Sequence, residues 1–254
     1  MQKPTKKHLE HLHATGQEMS LHGGFVAGDL LRAAVYGAND GIVTTFAVVA
    51  GVAGAQLSAD VILILGIANM IADGLSMGIG DYLGSVSEEK FKQRQLSMEA
   101  WEYKKIPEIE QEEIFQMYRE KGYSADDAKK LVEIHAKNPD HMVELGFQSE
   151  MGAVPERAEH LWRTGVATFA AFVVAGALPL LPYMVAAVGV PVAARMQFPI
   201  SIGMTLAALF LVGSLRTRLT GGSWWKNGLE ILGVGSIAAV AAYVLGVLVE
   251  RFIV

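Results

Sequence analysis

Five long apolar stretches, separated by polar residues, dominate the hydropathy pattern of the chain. They cover approximately residues 30–55, 59–83, 164–190, 198–215 and 229–249. A helix needs about 20 residues to cross the hydrocarbon core of a bilayer, and each stretch has that length or nearly so. The pattern predicts an all-α polytopic membrane protein with five transmembrane helices, the fourth being the shortest. Because proline cannot donate a backbone hydrogen bond, Pro179 and Pro182 predict a kink or a break in the third span.

A polar stretch, residues 88–163, separates the second and third spans. It holds most of the acidic residues of the chain and more than half of the basic ones, so we predict a soluble helical insert there. Its helix boundaries are indicated by Pro107, Gly122, Ser124 and the Asn138-Pro139 pair. The chain therefore divides into four parts: a polar N-terminal arm (1–24), spans one and two (25–87), the insert (88–163) and spans three to five (164–254).

The basic residues indicate an orientation in the membrane. Lys and Arg are frequent before span one, in the insert and between spans four and five, whereas the loop between spans one and two has none. Cytoplasmic loops are enriched in Lys and Arg. We therefore expect the N-terminus and the insert on the cytoplasmic side and the C-terminus outside.

The first span carries a carboxylate and an amide within its apolar sequence. Asn39 and Asp40 are adjacent, and Asp40 lies two helical turns beyond Arg32, which marks the water boundary. A charge that faces lipid at this depth costs a few kcal/mol, so we interpret the pair as part of a polar path between packed helices. The alternative is an aspartate near the helix end that reaches the interface.

The second span repeats this chemistry. Asn69, Asp73 and Met77 recur at spacings of four and share one face of a helix. A thioether beside a carboxylate and an amide suits a borderline transition metal better than magnesium or calcium. The alternative for Met77 is that it only packs against a neighbouring helix.

Two polar helices cannot enclose a path, but four helices from two copies can. The pairs Gly37/Gly41 and Gly74/Gly78 have the spacing that allows close helix contact in membranes. We therefore predict a homodimer with two-fold (C2) symmetry, the commonest closed symmetry, in which these glycines form the contacts.

The insert contains two pairs of glutamates with helical spacing, Glu99/Glu102 and Glu110/Glu113. Each pair falls on one side of its helix, so two antiparallel helices could turn four carboxylates toward each other. Carboxylates at that distance repel unless a cation lies between them. Spacing alone leaves two interpretations open, a metal site and a solvated acidic face.

Composition excludes several classes of protein. The chain has no cysteine, which excludes disulfides, zinc–thiolate sites and iron–sulfur clusters. Its net charge of -5 and the lack of a basic stripe argue against nucleic acid as a partner. The N-terminal arm carries four histidines that either form a weak metal site or are simply exposed; they are His8, His11, His13 and His22.

Two motifs resemble one known family. The sequence YGANDGIVTTFAVVAGVAGA in span one, followed by ADGLSMGIGDYLG in span two, is similar to the signature of the vacuolar iron transporter family, which includes many bacterial relatives. The resemblance covers about residues 25–250, including the position of the insert. It implies a homodimer of five-span protomers, with an ion path between the two copies of spans one and two. It also implies export of divalent iron from the cytosol in exchange for protons.

The resemblance also implies roles for individual residues. Asp40 and Met77 match the pore residues of the family. The metal ligands of the insert match Glu99, Glu102, Glu110, Glu113 and Glu150. The chain departs from the family at Gly146 and Phe147, where two adjacent methionines are common, and this departure bears on the preference for iron over manganese.

We therefore predict a secondary transporter, not an enzyme, for Fe²⁺ and also Mn²⁺, Co²⁺ or Zn²⁺, with no tightly bound cofactor. The expected partners are a second copy of the chain, the lipid bilayer and divalent metal ions. The expected location is a bacterial inner membrane, or a vacuolar membrane in a eukaryote. Two alternatives are a carboxylate-bridged ferroxidase, for which the chain lacks Glu-x-x-His pairs, and a membrane metal sensor without flux.

Overall fold

The computed structural model describes residues 25–152 and 161–253. These residues form eight α-helices and no strand, which confirms the all-α prediction. The helices are α1 Phe25–Gly54, α2 Ala59–Lys105, α3 Pro107–Glu120, α4 Ala125–His135, α5 Pro139–Met151, α6 Trp162–Ala187, α7 Ala194–Thr220 and α8 Trp224–Ile253. The N-terminal arm, with its four histidines, lies outside the described residues.

Five of these helices, α1, α2, α6, α7 and α8, are long and apolar enough to cross a membrane. The prediction of five spans is therefore confirmed. The chain separates into two compact units, one with the described residues up to Tyr82 and from Trp162 onward, the other with those between Leu83 and Leu161. We refer to them as the membrane unit and the insert.

Three helices differ from their predicted extents. The second span and the first helix of the insert form one helix of 47 residues, α2, which ends just before Pro107. The fourth span is 27 residues long and contains Pro199. Helix α6 continues through Pro179 and Pro182, so the break that these prolines allowed does not occur. The Ser201 hydroxyl of α7 donates a 2.6 Å hydrogen bond to the Pro179 carbonyl in this region.

The insert helices begin and end where the sequence indicates. Ser124 caps α4 by accepting a hydrogen bond from the Asp127 backbone N–H at 3.1 Å. Asn138 caps α5 in the same way, through the His141 N–H at 3.3 Å. Gly152 ends α5 with a φ of 62°, a left-handed conformation that favours glycine. Asn138 therefore starts α5, whereas α4 already ends at His135.

In the membrane unit, α1 packs against α6 through glycines. A Cβ atom at Gly37 would overlap the Thr168 carbonyl oxygen, and one at Gly41 would lie 2.9 Å from the Phe172 Cα. The two backbones therefore touch at these positions, as in small-residue helix contacts in membranes. Gly246 of α8 makes a similarly close contact with the backbone of α1.

The glycines of α2 also pack within the same chain. A Cβ at Gly78 would lie 2.8 Å from the Gly165 carbonyl oxygen of α6, and one at Gly74 would lie 3.2 Å from the Phe169 and Phe172 rings. The prediction that the pairs Gly37/Gly41 and Gly74/Gly78 form the contacts of a dimer is therefore wrong. Sequence spacing indicates a close helix contact but does not identify which helix makes it.

The close contact at Gly41 predicts the effect of adding one methyl group. We expect Gly41→Ala to destabilise the protein, because overpacking costs about 1–3 kcal/mol. Thermal unfolding of the purified full chain in detergent measures this. Gly203→Ala is the matched control, since a Cβ at Gly203 meets nothing within 4 Å and alanine is the better helix former. Equal stability of the two variants would contradict the assigned packing.

Candidate transport path and metal centre

A hydrogen-bonded polar pair lies on α2 within the membrane unit. The Asn69 side-chain amide donates to the Asp73 carboxylate at 2.7 Å. Both residues are half-buried, on a flank of α2 between the face packed on α6 and the exposed face. The spacing of four residues that the sequence shows is what allows this bond.

Asp40 of α1 lies near this pair. The carboxylates of Asp40 and Asp73 are close enough to repel each other, so the structure brings together polar groups from two spans. The Thr44 hydroxyl donates a 2.9 Å hydrogen bond to the Asp40 backbone carbonyl. This bond therefore does not involve the Asp40 carboxylate. An arrangement of two carboxylates and an amide can bind a cation or a proton.

Asn39 and Met77 are half-buried on the same two helices. Met77 lies one turn beyond Asp73, on the same flank of α2. Asn39 directly precedes Asp40 in α1. Their predicted roles in the path remain predictions.

A polar contact that sequence reasoning did not identify links α2 to α6. The buried Thr168 hydroxyl donates to the Asp81 carboxylate at 3.3 Å. In the sequence, Asp81 is simply an aspartate near the end of the second span. A threonine in an apolar helix is a weak signal by itself, because its hydroxyl can bond to the preceding turn of its own helix.

A ridge of small residues on α2 remains exposed. The ridge consists of five exposed small residues at intervals of four positions: Ala68, Ala72, Ser76, Gly80 and Gly84. A Cβ at Gly80 or Gly84 would meet nothing within 4 Å. The ridge lies directly beside the flank that carries Asn69 and Asp73, because neighbouring positions on a helix are about 100° apart.

In the insert, two of the predicted ligand glutamates are buried side by side. Glu99 of α2 is 5% exposed and Glu110 of α3 is 7% exposed. Their carboxyl groups lie close enough to share one proton in a hydrogen bond. Burial, and then the charges of Glu110, Glu150 and Glu102, raise the pKa of Glu99 to about 8. Burial also raises the pKa of Glu110.

The other predicted ligands surround this pair less closely. Glu102 is half-buried, whereas Glu113 and Glu150 are exposed. Glu113 also lines an open cavity of about 450 Å³ together with Met117 and Ser149. In residues 25–152 and 161–253, no three His, Asp or Glu side chains have the spacing of a formed metal site. The five glutamates therefore share one region without being arranged around a single point.

Gly146 of α5 lies against Glu99. A Cβ at this position would overlap the Glu99 Oε1 atom, so the carboxyl group occupies the space that a side chain would need. Phe147, the next residue, is buried in the insert. The sequence marked both positions as departures from the family but gave no structural reason for them.

The buried glutamate pair predicts how the stability of the metal-free protein depends on pH. The pKa of Glu99 is higher in the folded chain than its ordinary value of 4.5, so folding favours the protonated form. This stabilisation is complete below pH 4.5 and is lost as the pH rises to about 8. We expect Glu99→Gln, whose amide can still donate to Glu110, to lose less stability over this range. Thermal unfolding of both proteins in a metal chelator measures the difference.

The exposed Glu108 of α3 provides the control, because Glu108→Gln should retain the pH dependence of the wild-type protein. If Glu99→Gln and wild type lose stability in parallel, the hydrogen bond between Glu99 and Glu110 does not account for the pH dependence.

Comparison with known proteins agrees with the two motifs. The sequence model of the VIT family matches residues 31–247. A protein named vacuolar iron transporter from Toxoplasma gondii is 33% identical over 240 residues, covering 93% of this chain and 79% of its own. Vacuolar iron transporter 1 of Arabidopsis thaliana is 31% identical over 89% of each chain. Vacuolar iron transporter 2 of Oryza sativa subsp. japonica is 32% identical over 86% of this chain and 87% of its own. The five apolar helices and this match over most of the sequence show that the chain belongs to the VIT family.

Proposed function

We propose that the protein is a secondary transporter that moves divalent iron, and also manganese, out of the cytosol in exchange for protons. The observation that carries the proposal is the polar group within the membrane unit, in which Asn69 bonds to Asp73 and Asp73 lies near Asp40. The names of the relatives support iron as the cargo.

Coupling to protons follows from the two carboxylates. Asp40 and Asp73 lie on spans surrounded by apolar residues, where the repulsion between two negative charges is strong. A metal ion or a proton relieves this repulsion, and the two compete for the same oxygens. Alternating occupancy by metal and protons is therefore a direct physical basis for antiport.

The path is proposed to lie between two copies of the chain related by a two-fold axis. The exposed small-residue ridge of α2 supports this arrangement, because ridges with a spacing of four let membrane helices approach closely. A second copy packed on this ridge would lie beside the polar flank that carries Asp73. This ridge, and not the glycines that pack on α6, is our candidate dimer contact.

The insert is proposed to capture the metal on the cytoplasmic side with Glu99, Glu102, Glu110, Glu113 and Glu150. The buried Glu99–Glu110 pair supports this. Two buried negative charges without a cation are costly, so one carboxyl group of such a pair stays protonated and neutral. Displacement of that proton by a divalent ion would couple capture to pH. The distribution of basic residues supports the cytoplasmic orientation, and we assign the protein to a cell inner membrane or, in a eukaryote, to the vacuolar membrane.

Removal of the Asp40 charge tests the transport path. We expect Asp40→Asn to reduce Fe²⁺ flux by more than about tenfold, a factor that corresponds to about 1.4 kcal/mol, because the amide keeps the size and loses the charge. The measurement is uptake into proteoliposomes with an imposed pH gradient. Asp60→Asn, at the exposed start of α2, should retain flux. Normal transport by Asp40→Asn would exclude Asp40 as the carrier of metal and protons.

Bulk on the small-residue ridge tests the dimer. We expect Gly80→Leu to shift the protein from dimer to monomer in detergent and to reduce flux in parallel, because the side chain keeps the helices apart. Mass photometry gives the oligomeric state. Gly203→Leu, which adds the same side chain at another open position in a span, should remain dimeric. A wild-type monomer with full activity in nanodiscs would refute the proposed path.

A further inference from the structure

The corner between α7 and α8 is closed by hydrogen bonds within the chain. The loop that joins the two helices, residues 221–223, turns through two glycines with positive φ, 70° and 85°. The Asn227 side-chain amide donates to the Thr217 hydroxyl at 3.0 Å and reaches the Thr220 hydroxyl and the Gly221 carbonyl at 3.3 Å. One side chain of α8 therefore fixes the last turn of α7 and the start of the loop.

The two helices also touch directly beside this corner. A Cβ at Gly213 would lie 2.6 Å from the Asn227 carbonyl oxygen, and one at Gly228 would lie 2.7 Å from the Phe210 ring. The Phe210 ring packs edge-on against Trp224, with 5.9 Å between the ring centres. The corner is therefore a preformed platform, and the side chains that it exposes start from fixed backbone positions.

Two cations on this platform have no anionic partner. Arg218 precedes the loop and Lys226 follows it, and both side chains are exposed. Within residues 25–152 and 161–253, no carboxylate lies within ion-pair distance of either one. The neighbouring Arg216 differs, because it pairs with Glu230 at 3.4 Å. The corner therefore presents positive charge that the described part of the chain does not neutralise.

Two tryptophan rings accompany these cations. Trp224 is 59% exposed and Trp225 is 47% exposed, and the Lys226 Nζ lies 5.5 Å from the centre of the Trp225 ring. Helices α7 and α8 are both long and apolar enough to cross a membrane, so the corner lies at the end of two spans. Tryptophan rings at such a position lie at the level of the lipid headgroups, where a cation beside them meets phosphate.

We propose that the α7–α8 corner binds the phosphate headgroup of an anionic membrane phospholipid through Arg218 and Lys226. Charge complementarity identifies the lipid, because each Lys or Arg near an anionic surface contributes a factor of about five in binding. A guanidinium can also donate two hydrogen bonds to one phosphate. The acyl chains of the lipid account for the exposed tryptophan rings, which a free phosphate ion would leave in contact with water. This role is independent of metal transport.

Brominated lipids, which quench tryptophan fluorescence at short range, measure lipid preference at this corner. All proteins carry Trp101→Phe and Trp162→Phe, so that only Trp224 and Trp225, of the four tryptophans of the chain, report. The full chain is reconstituted in phosphatidylcholine vesicles that contain either brominated phosphatidylglycerol or brominated phosphatidylcholine. The ratio of quenching by the two brominated lipids gives the preference for the anionic headgroup.

The parent protein should prefer phosphatidylglycerol by about fivefold or more. Arg218→Gln should lower this preference, and the addition of Lys226→Gln should abolish it. Arg251→Gln is the matched control, because it makes the same substitution at the other end of α8, where the guanidinium also lies over a ring, 5.9 Å from the centre of Phe252. It should retain the preference of the parent protein. Thermal unfolding in phosphatidylcholine vesicles shows whether each variant is folded.

Inorganic phosphate separates the two sources of the same ligand chemistry. When phosphate replaces chloride at equal ionic strength, the preference for phosphatidylglycerol should stay unchanged, because the ion offers no acyl chain to the tryptophan rings. Loss of the preference in phosphate would show that the corner binds the soluble ion and would overturn the lipid proposal. Equal quenching of the parent protein by both lipids, or an unchanged preference after removal of both cations, would overturn it as well.

Discussion

Contact between helix backbones, made possible by missing side chains, is the constraint on which the membrane unit depends. Gly37 and Gly41 bring α1 onto α6, and Gly78 brings α2 onto the same helix. Helix α6 therefore acts as a common support that holds α1 and α2 in fixed positions. This support places Asp40 near Asp73. In lipid, where helix association gains little from the hydrophobic effect, such close van der Waals packing is the main source of stability.

The insert uses the same physical device for a different purpose. The empty position at Gly146 admits a carboxyl group instead of a neighbouring helix backbone. Burying a carboxylate without a cation or a hydrogen bond is costly, and the Glu99–Glu110 bond together with protonation of Glu99 reduces that cost. In each unit, therefore, a glycine determines where an acidic group can lie. The acidic side chains can occupy these positions because the glycines leave space beside the backbone.

Membership in the VIT family gives these local features a common purpose. A family of membrane carriers needs polar groups inside apolar helices, and these groups are tolerated only where helices or ligands compensate for the lost hydration. The Asn69–Asp73 bond and the Thr168–Asp81 bond both provide such compensation within the membrane unit. The exposed ridge that ends at Gly80 and Gly84 remains without a neighbour in the described part of a single chain. A second copy of the chain would give it one.

The sequence by itself determined the five spans, the helical insert, the cap at Ser124, and the polar stripes of α1 and α2. These features follow from composition and from the period of the helix, which are local properties. Only the tertiary structure decided which helix each glycine contacts, that Thr168 bonds to Asp81, and that Glu99 lies over Gly146. Sequence periodicity gives the face on which a residue lies but not the neighbour of that face. The same limit explains the mistaken dimer contacts, because close approach by Gly37 and Gly41 is equally compatible with α6 and with a second chain.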